Sequence, residues 1–269
     1  MRRLAVLLVL VALVALTVAA GAPAITNGEP DDGRHPYVGL LVFDVGGTPS
    51  HRCSGALLSP TVVLTAGHCT VGTSAARIWM DENVQTNTEY PFSGATSYDG
   101  VAYTNPGFCI GCGQGLPGFI VRDIGVVVLS EPVPASVVSR YAVLPAVGVV
   151  DTLANKTPVD LVGYGVQEQI HGGGPPRWTG PRVRLYAPTE LVSGKFSHSD
   201  EFVRLAANPG GGSGGLCFGD SGGPDLLGGT DLVLAVNSYV TNSNCSGVTY
   251  SSRVDLPAVL EWIGGFLGT

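Results

Sequence analysis

Residues 216–224 read Leu-Cys-Phe-Gly-Asp-Ser-Gly-Gly-Pro, and residues 65–69 read Thr-Ala-Gly-His-Cys. Between them, Asp123 heads an apolar run that ends at Leu129. A serine hydroxyl is a poor nucleophile at neutral pH until a neutral imidazole takes its proton and a buried carboxylate fixes the tautomer of that imidazole. Acyl transfer further needs two backbone N–H groups facing the developing oxyanion. Glycine beside the serine allows a tight turn and the close approach of a substrate carbonyl. The three segments together supply nucleophile, base and orienter, whereas a lone Gly-x-Ser-x-Gly carries little information.

Chain order separates the possible triads. The last histidine is His198, so nothing after Ser221 can act as base and the order Ser, Asp, His of α/β-hydrolases fails. The order Asp, His, Ser could be assembled from His171 or His198, but both sit in Gly-Pro-rich or polar stretches that read as loops. His68 instead follows the strand-like run Thr61–Thr65. The order His68, Asp123, Ser221 remains. On residues 65–69, 123–129 and 219–224 the chain resembles the trypsin/chymotrypsin-like serine endopeptidases. The resemblance extends from Ile25-Thr-Asn-Gly28 to the region of Trp262, essentially the whole mature chain.

The resemblance implies an all-β fold of two six-stranded antiparallel β-barrels, with the active site in the cleft between them and a short C-terminal helix. His68 and Asp123 would come from the first barrel and Ser221 from the second. It implies that Ser221 attacks a peptide carbonyl, that His68 is base and then acid, that Asp123 orients His68, and that the N–H groups of Gly219 and Ser221 receive the oxyanion. It also implies that a free Ile25 amine inserts and pairs with Asp220. Of the six cysteines, the resemblance pairs Cys53 with Cys69 and Cys217 with Cys245. Cys109 and Cys112 have no counterpart in the family; a local Cys109–Cys112 disulfide stiffening a Gly/Pro-rich insertion over Asn105–Gly118 is the simplest reading, ahead of a redox dithiol or a zinc half-site.

The elements agree with that architecture. With 39 Gly and 19 Pro and only 13% charged residues, the chain suits short strands and tight turns. Apolar runs over Tyr37–Phe43, Gly55–Leu58, Val62–Thr65, Ile124–Leu129, Pro158–Gly165, Leu232–Val240 and Val248–Val254 read as strands. Glu131–Pro145, with three prolines, reads as the crossing between barrels, placing the first over about 25–130 and the second over 146–254. Residues 255–267 show helical spacing.

Residues 1–24 read as a secretory signal peptide: Arg2 and Arg3, an apolar run from Leu4 to Ala20, then Ala22-Pro-Ala24. Cleavage after Ala24 would leave Ile25 first. No Lys or Arg lies between Arg3 and Arg34, so a trypsin-type cut cannot release Ile25 and signal cleavage itself is the expected activating step. The formal charge of −7 and the isolated Lys156 and Lys195 give no basic patch for nucleic acid or anionic membrane. The expected product is a secreted monomer that acts on protein or peptide substrates, with protein protease inhibitors as further partners.

Specificity depends on the pocket. Alignment with the family puts Gly215 at the pocket floor, where a strictly Arg/Lys-cutting enzyme carries Asp, followed by apolar Leu216, and makes Ser238, Tyr239 and Val240 the wall. The expectation is cleavage after small or medium apolar residues. No cofactor is expected, and the spacing of Asp81, Glu82 and Glu89 is not diagnostic of calcium. Two rival readings use the same residues: a protease-fold binding module with weak catalysis, and an esterase or amidase.

Overall fold

Branched and aromatic residues set between glycine turns favour pleated, half-buried strands over helices. The computed structural model describes residues 25, 28–113, 119–166, 168–170, 177–194, 197–208 and 213–268. The leader over 1–24, His171 and Lys195 lie outside the described residues. In chain order the strands are β1 (Glu29–Pro30), β2 (Val38–Val45), β3 (Thr48–Leu57), β4 (Val62–Thr65), β5 (Ala75–Trp79), β6 (Ser97–Thr104), β7 (Cys109–Ile110), β8 (Ile120–Val121) and β9 (Gly125–Leu129). There follow β10 (Pro158–Gly163), β11 (Glu168–Ile170), β12 (Arg177–Thr179), β13 (Leu185–Glu190), β14 (Phe202–Ala207), β15 (Pro224–Leu227), β16 (Val233–Val240) and β17 (Gly247–Arg253). Among the described residues, two α-helices, α1 (Gly67–Thr70) and α2 (Pro257–Leu267), and a short 3-10 helix (Val149–Thr152) complete the set.

Six strands close the first barrel in the order β2-β3-β4-β9-β6-β5. The second unit is a curled antiparallel sheet, β1-β13-β10-β15-β16-β17-β14. Its two ends meet at a narrow seam rather than a full ladder: a bridge between Leu191 and Leu205, and Val192 N–H donating to the Arg204 carbonyl at 3.0 Å. A separate core fills this unit, built from Val159, Leu161, Ala187, Leu205, Leu234 and Ile25 among others. The larger core spans the first barrel and takes in Val162, Val236 and the inner face of α2 (Val259, Ile263). α2 starts with Pro257 in its first turn and stops at Gly268 in the left-handed conformation, so its ends are set by local chemistry.

The two units are joined by a buried cation. Arg184, at the foot of β13, gives its Nε–H to Asp31 Oδ2 at 2.9 Å and its Nη1–H to the carbonyls of Val38 (3.0 Å) and Met80 (3.2 Å) of the first barrel. Glu82 completes the girdle, accepting the N–H groups of Asp32 and Gly33 and lying 3.8 Å from Arg184. Burial alone would raise the Asp31 carboxyl; the hydrogen bonds from the His35 side chain and backbone, with the charge of Arg184, outweigh it and hold Asp31 down at about 2. Arg184→Met should therefore destabilise the fold by about 3–5 kcal/mol, because Asp31 is left buried without its cation. The lowered Asp31 contributes stability above the unfolded carboxyl range that is lost as pH falls towards 2. Urea unfolding should show the gap between wild type and variant narrowing from about pH 4 downward; a gap constant with pH would contradict this role.

Candidate active site

Asp123 stands two residues before the start of β9 and is fully buried. The chain leaving β4 makes the single turn α1, which carries His68 and lies directly on β9. A Cβ at Gly125 would stand 2.6 Å from Thr70 Cγ2 and 2.7 Å from the Ala66 carbonyl oxygen, so only glycine lets the two segments meet this closely. Asp123 Oδ1 accepts the His68 backbone N–H at 2.7 Å, and Oδ2 faces His68 Nδ1 at 2.7 Å. A carboxylate acceptor at Nδ1 places the ring proton there and leaves Nε2 as the acceptor. From the second unit, Ser238 Oγ–H donates to the same Oδ2 at 2.5 Å, and the Asp123 N–H donates to Ser252 Oγ at 3.1 Å. Ser238, expected only as pocket wall, thus also holds the carboxylate.

Ser221 lies in a turn with tight steric limits. Gly222 has φ +83°, and a Cβ there would stand 2.1 Å from Thr65 Oγ1. The carbonyls on either side of Asp220's neighbours are drawn backward. Phe218 C=O accepts from Val166 N–H at 2.7 Å, and Asp220 C=O accepts from Gly223 N–H at 2.9 Å and Asn237 Nδ2–H at 3.1 Å. In a planar trans peptide the N–H points opposite to the carbonyl. The N–H groups of Gly219 and Ser221 therefore face away from those anchors. Buried Ser54 ties the turn to the first barrel: its Oγ–H donates to Gly219 C=O at 2.9 Å, its Oγ accepts from Tyr164 N–H at 2.9 Å, and its N–H donates to Ser221 C=O at 2.8 Å. Nothing in the sequence reading marked Ser54, Asn237 or Ser252.

His68 and Ser221 line one cavity of about 340 Å³, with no hydrogen bond between the Ser221 hydroxyl and the imidazole in this structure. Hydrogen bonds of this kind are often long before substrate binds. The rest of the lining is mostly apolar, from Leu216, Phe218, Tyr239, Val240, Ile110 and Ile120. Gly215 is buried behind Leu216 and is not in the lining. Ile110 and Ile120 were not expected here. They belong to the β7–β8 hairpin of the insertion, where Phe119 meets the Tyr239 ring edge-on at 5.9 Å. The disulfides Cys53–Cys69, Cys109–Cys112 and Cys217–Cys245 are formed. His198 lies 3.8 Å from Asp151, and only His68 among the described histidines lines the cavity.

A model of the trypsin family matches residues 25–263. Human chymotrypsin-like elastase family member 3B is 27% identical over 268 residues, covering 93% of this chain and 94% of its own length. A solved structure described as HL collagenase superposes with a TM-score of 0.67 at 18% identity, covering 94% of this chain and 99% of that one. A structure described as human heparin binding protein superposes with a TM-score of 0.61 at 20% identity, covering 90% of this chain and 96% of that one. At these identities the two structures speak for the fold alone.

Two more carboxylates are buried behind the cavity. Asp220 accepts Gly165 N–H (2.8 Å) and Cys217 N–H (3.0 Å); burial pushes it up to about 7 against those bonds and the charge of Arg52. Asp225, on the inner face of β15, has no hydrogen bond to either oxygen among the described residues, and Asn237 Oδ1, Thr249 Oγ1 and Ser251 Oγ are likewise unpaired. Burial pushes Asp225 up to about 8, eased only by the neighbouring Ser251 hydroxyl. Folded chains then keep a proton that unfolded chains release above about pH 4, so stability falls as pH rises from there towards 8. Asp225→Asn should raise stability at pH 8 by several kcal/mol and change it little at pH 4, read by urea unfolding; equal gains at both pH values would contradict the assignment.

Proposed function

The chain belongs to the trypsin family, and from that premise we propose that it is a secreted serine endopeptidase that hydrolyses peptide bonds through an acyl-enzyme on Ser221. The observation that carries the reading is the His68 Nδ1 to Asp123 Oδ2 contact of 2.7 Å, on a carboxylate fully buried beside the cavity that Ser221 also lines. In this mechanism His68 Nε2 takes the Ser221 proton as Oγ attacks the carbonyl carbon. Asp123 stabilises the imidazolium, with Ser238 sharing its charge. The oxyanion meets the N–H groups of Gly219 and Ser221, whose peptide carbonyls are drawn back, so the donors need no rearrangement at the moment of reaction. His68 then gives the proton to the leaving amine, and water, activated the same way, releases the acyl group.

Removal of residues 1–24 at the small-residue site after Ala24 would free the Ile25 amine. Two observations support its pairing with Asp220. Ile25 is fully buried in the core of the second unit with Leu161 and Leu216, and the raised Asp220 carboxyl, which among the described residues accepts hydrogen bonds from backbone N–H groups, would be stabilised by an ammonium. Secretion fits the three disulfides, and among the described residues no helix is long and apolar enough to cross a membrane. A pure binding role of the kind recorded in the name of the heparin-binding neighbour would call for a basic surface; the net charge here is −7.

The apolar cavity walls favour small or medium apolar side chains on the acyl side of the cut. A panel of peptide nitroanilides differing only in that residue should give kcat/KM for Ala, Val or Leu on the order of a hundredfold above Arg or Lys. A preference for Arg or Lys would overturn the specificity, and hydrolysis of simple esters with none of any peptide would favour the esterase reading.

A further inference from the structure

The acyl half of a peptide seated on Ser221 occupies the apolar cavity, which is lined by no Asp, Glu, Lys or Arg. The leaving half must pass on the other side of Ser221, because His68 delivers its proton to the departing amine. That side is bounded by the Cys53–Cys69 disulfide, whose sulfurs and an imidazole nitrogen of His68 lie within 4.8 Å of one another. One residue before Cys53 on β3 stands Arg52. Its Nε lies 3.3 Å from where a Cβ of Gly219 would be, so the guanidinium rests against a residue whose N–H faces the reaction centre. It also opens on a separate surface hollow of about 360 Å³ with Ser50, His51, Tyr90 and Pro91.

Arg52 is not consumed by the protein. Arg34, Arg77, Arg140, Arg184 and Arg253 each sit against a carboxylate. The Arg52 guanidinium makes no ion pair or hydrogen bond among the described residues, its backbone being paired with Val42 on β2. The acid that feels its charge, Asp220, is fully buried with its two oxygens taken by Gly165 and Cys217. The result is a half-buried planar cation, with its donors free, at the leaving-group edge of an acidic protein's catalytic cleft. A guanidinium in that state suits a carboxylate, which it can bind through two parallel N–H···O bonds.

We infer that Arg52 is a specificity residue that binds a carboxylate on the leaving half of the substrate, either an acidic side chain just after the cut or the free C-terminus of a peptide ending there. The inference rests on the proteolytic reading above and deepens it.

Internally quenched peptides with one acyl half test it. Two pairs of leaving halves and a neutral reference are compared: Glu against Gln after the cut, and a free C-terminal carboxylate against its amide. In the wild-type protein the acid member of at least one pair should be cleaved with kcat/KM about tenfold above its neutral partner, the size of one charge-assisted bond. The pair that responds identifies the source of the carboxylate. Arg52→Gln should bring that ratio close to one, chiefly through KM, and Arg52→Lys should keep part of it. Should neither variant fold, added salt in the wild-type protein should shrink the ratio. Ratios near one for both pairs in the wild-type protein, or a ratio unmoved by Arg52→Gln, would overturn the inference. Failure to cleave even the neutral reference would instead count against the proteolytic reading itself.

Discussion

Burying the Asp123 carboxylate is the constraint from which much of the structure follows. A carboxylate removed from water is tolerated only when donors replace its hydration. Here the donors come from both halves of the chain: the His68 backbone and ring from the first barrel, and Ser238 from the second. The first barrel reaches both oxygens, and the second unit adds a further donor to Oδ2. The docking that brings Ser238 to Asp123 also sets His68 beside the cavity that Ser221 lines. The geometry of the cleft and the satisfaction of this charge are thereby linked.

Other polar groups repeat this logic around the cleft and across the interface. Ser54 belongs to the first barrel but holds the carbonyls of Gly219 and Ser221 in the second. Asn237 and Val166 draw back the carbonyls of Asp220 and Phe218, so that two N–H groups are left pointing the other way. Arg184 ties β13 to the first-barrel carbonyls of Val38 and Met80 far from the serine. The Ser54 and Arg184 bonds cross the interface, where packing alone would permit sliding, and those of Asn237 and Val166 fix the turn within the second unit. Bonds of this kind hold a site in place before substrate arrives, which is what electrostatic stabilisation of an oxyanion demands.

The motifs made the segments that carry His68, Asp123 and Ser221, and the strands around them, readable, since local sequence determines them. The run Val62–Thr65 is the observed β4, and the helix expected over 255–267 forms over Pro257–Leu267. Other strands were hidden by composition. β6 (Ser-Tyr-Asp-Gly-Val-Ala-Tyr-Thr) is half exposed, and β13 carries Pro188 and polar residues because one face meets solvent. The partners of the site were hidden by distance: Ser54 and Gly219 are 165 residues apart, Asp123 and Ser238 115. An isolated serine or asparagine in an apolar run gives no sign of which carbonyl it will meet. Asp225 could have drawn notice as a charge inside such a run, but its lack of partners emerges only once β15, β16 and β17 are side by side. The narrow seam of the second sheet is likewise a property of curvature, not of any segment's pattern.

The central claim is that Ser221 is an activated nucleophile whose base is His68. Labelling the mature protein with a fluorophosphonate and locating the adduct by intact and peptide mass tests it most directly. The account predicts one adduct, on Ser221, lost in His68→Ala, on a chain that starts at Ile25. A correctly processed, folded chain that takes no label, or one that labels equally without His68, would contradict it.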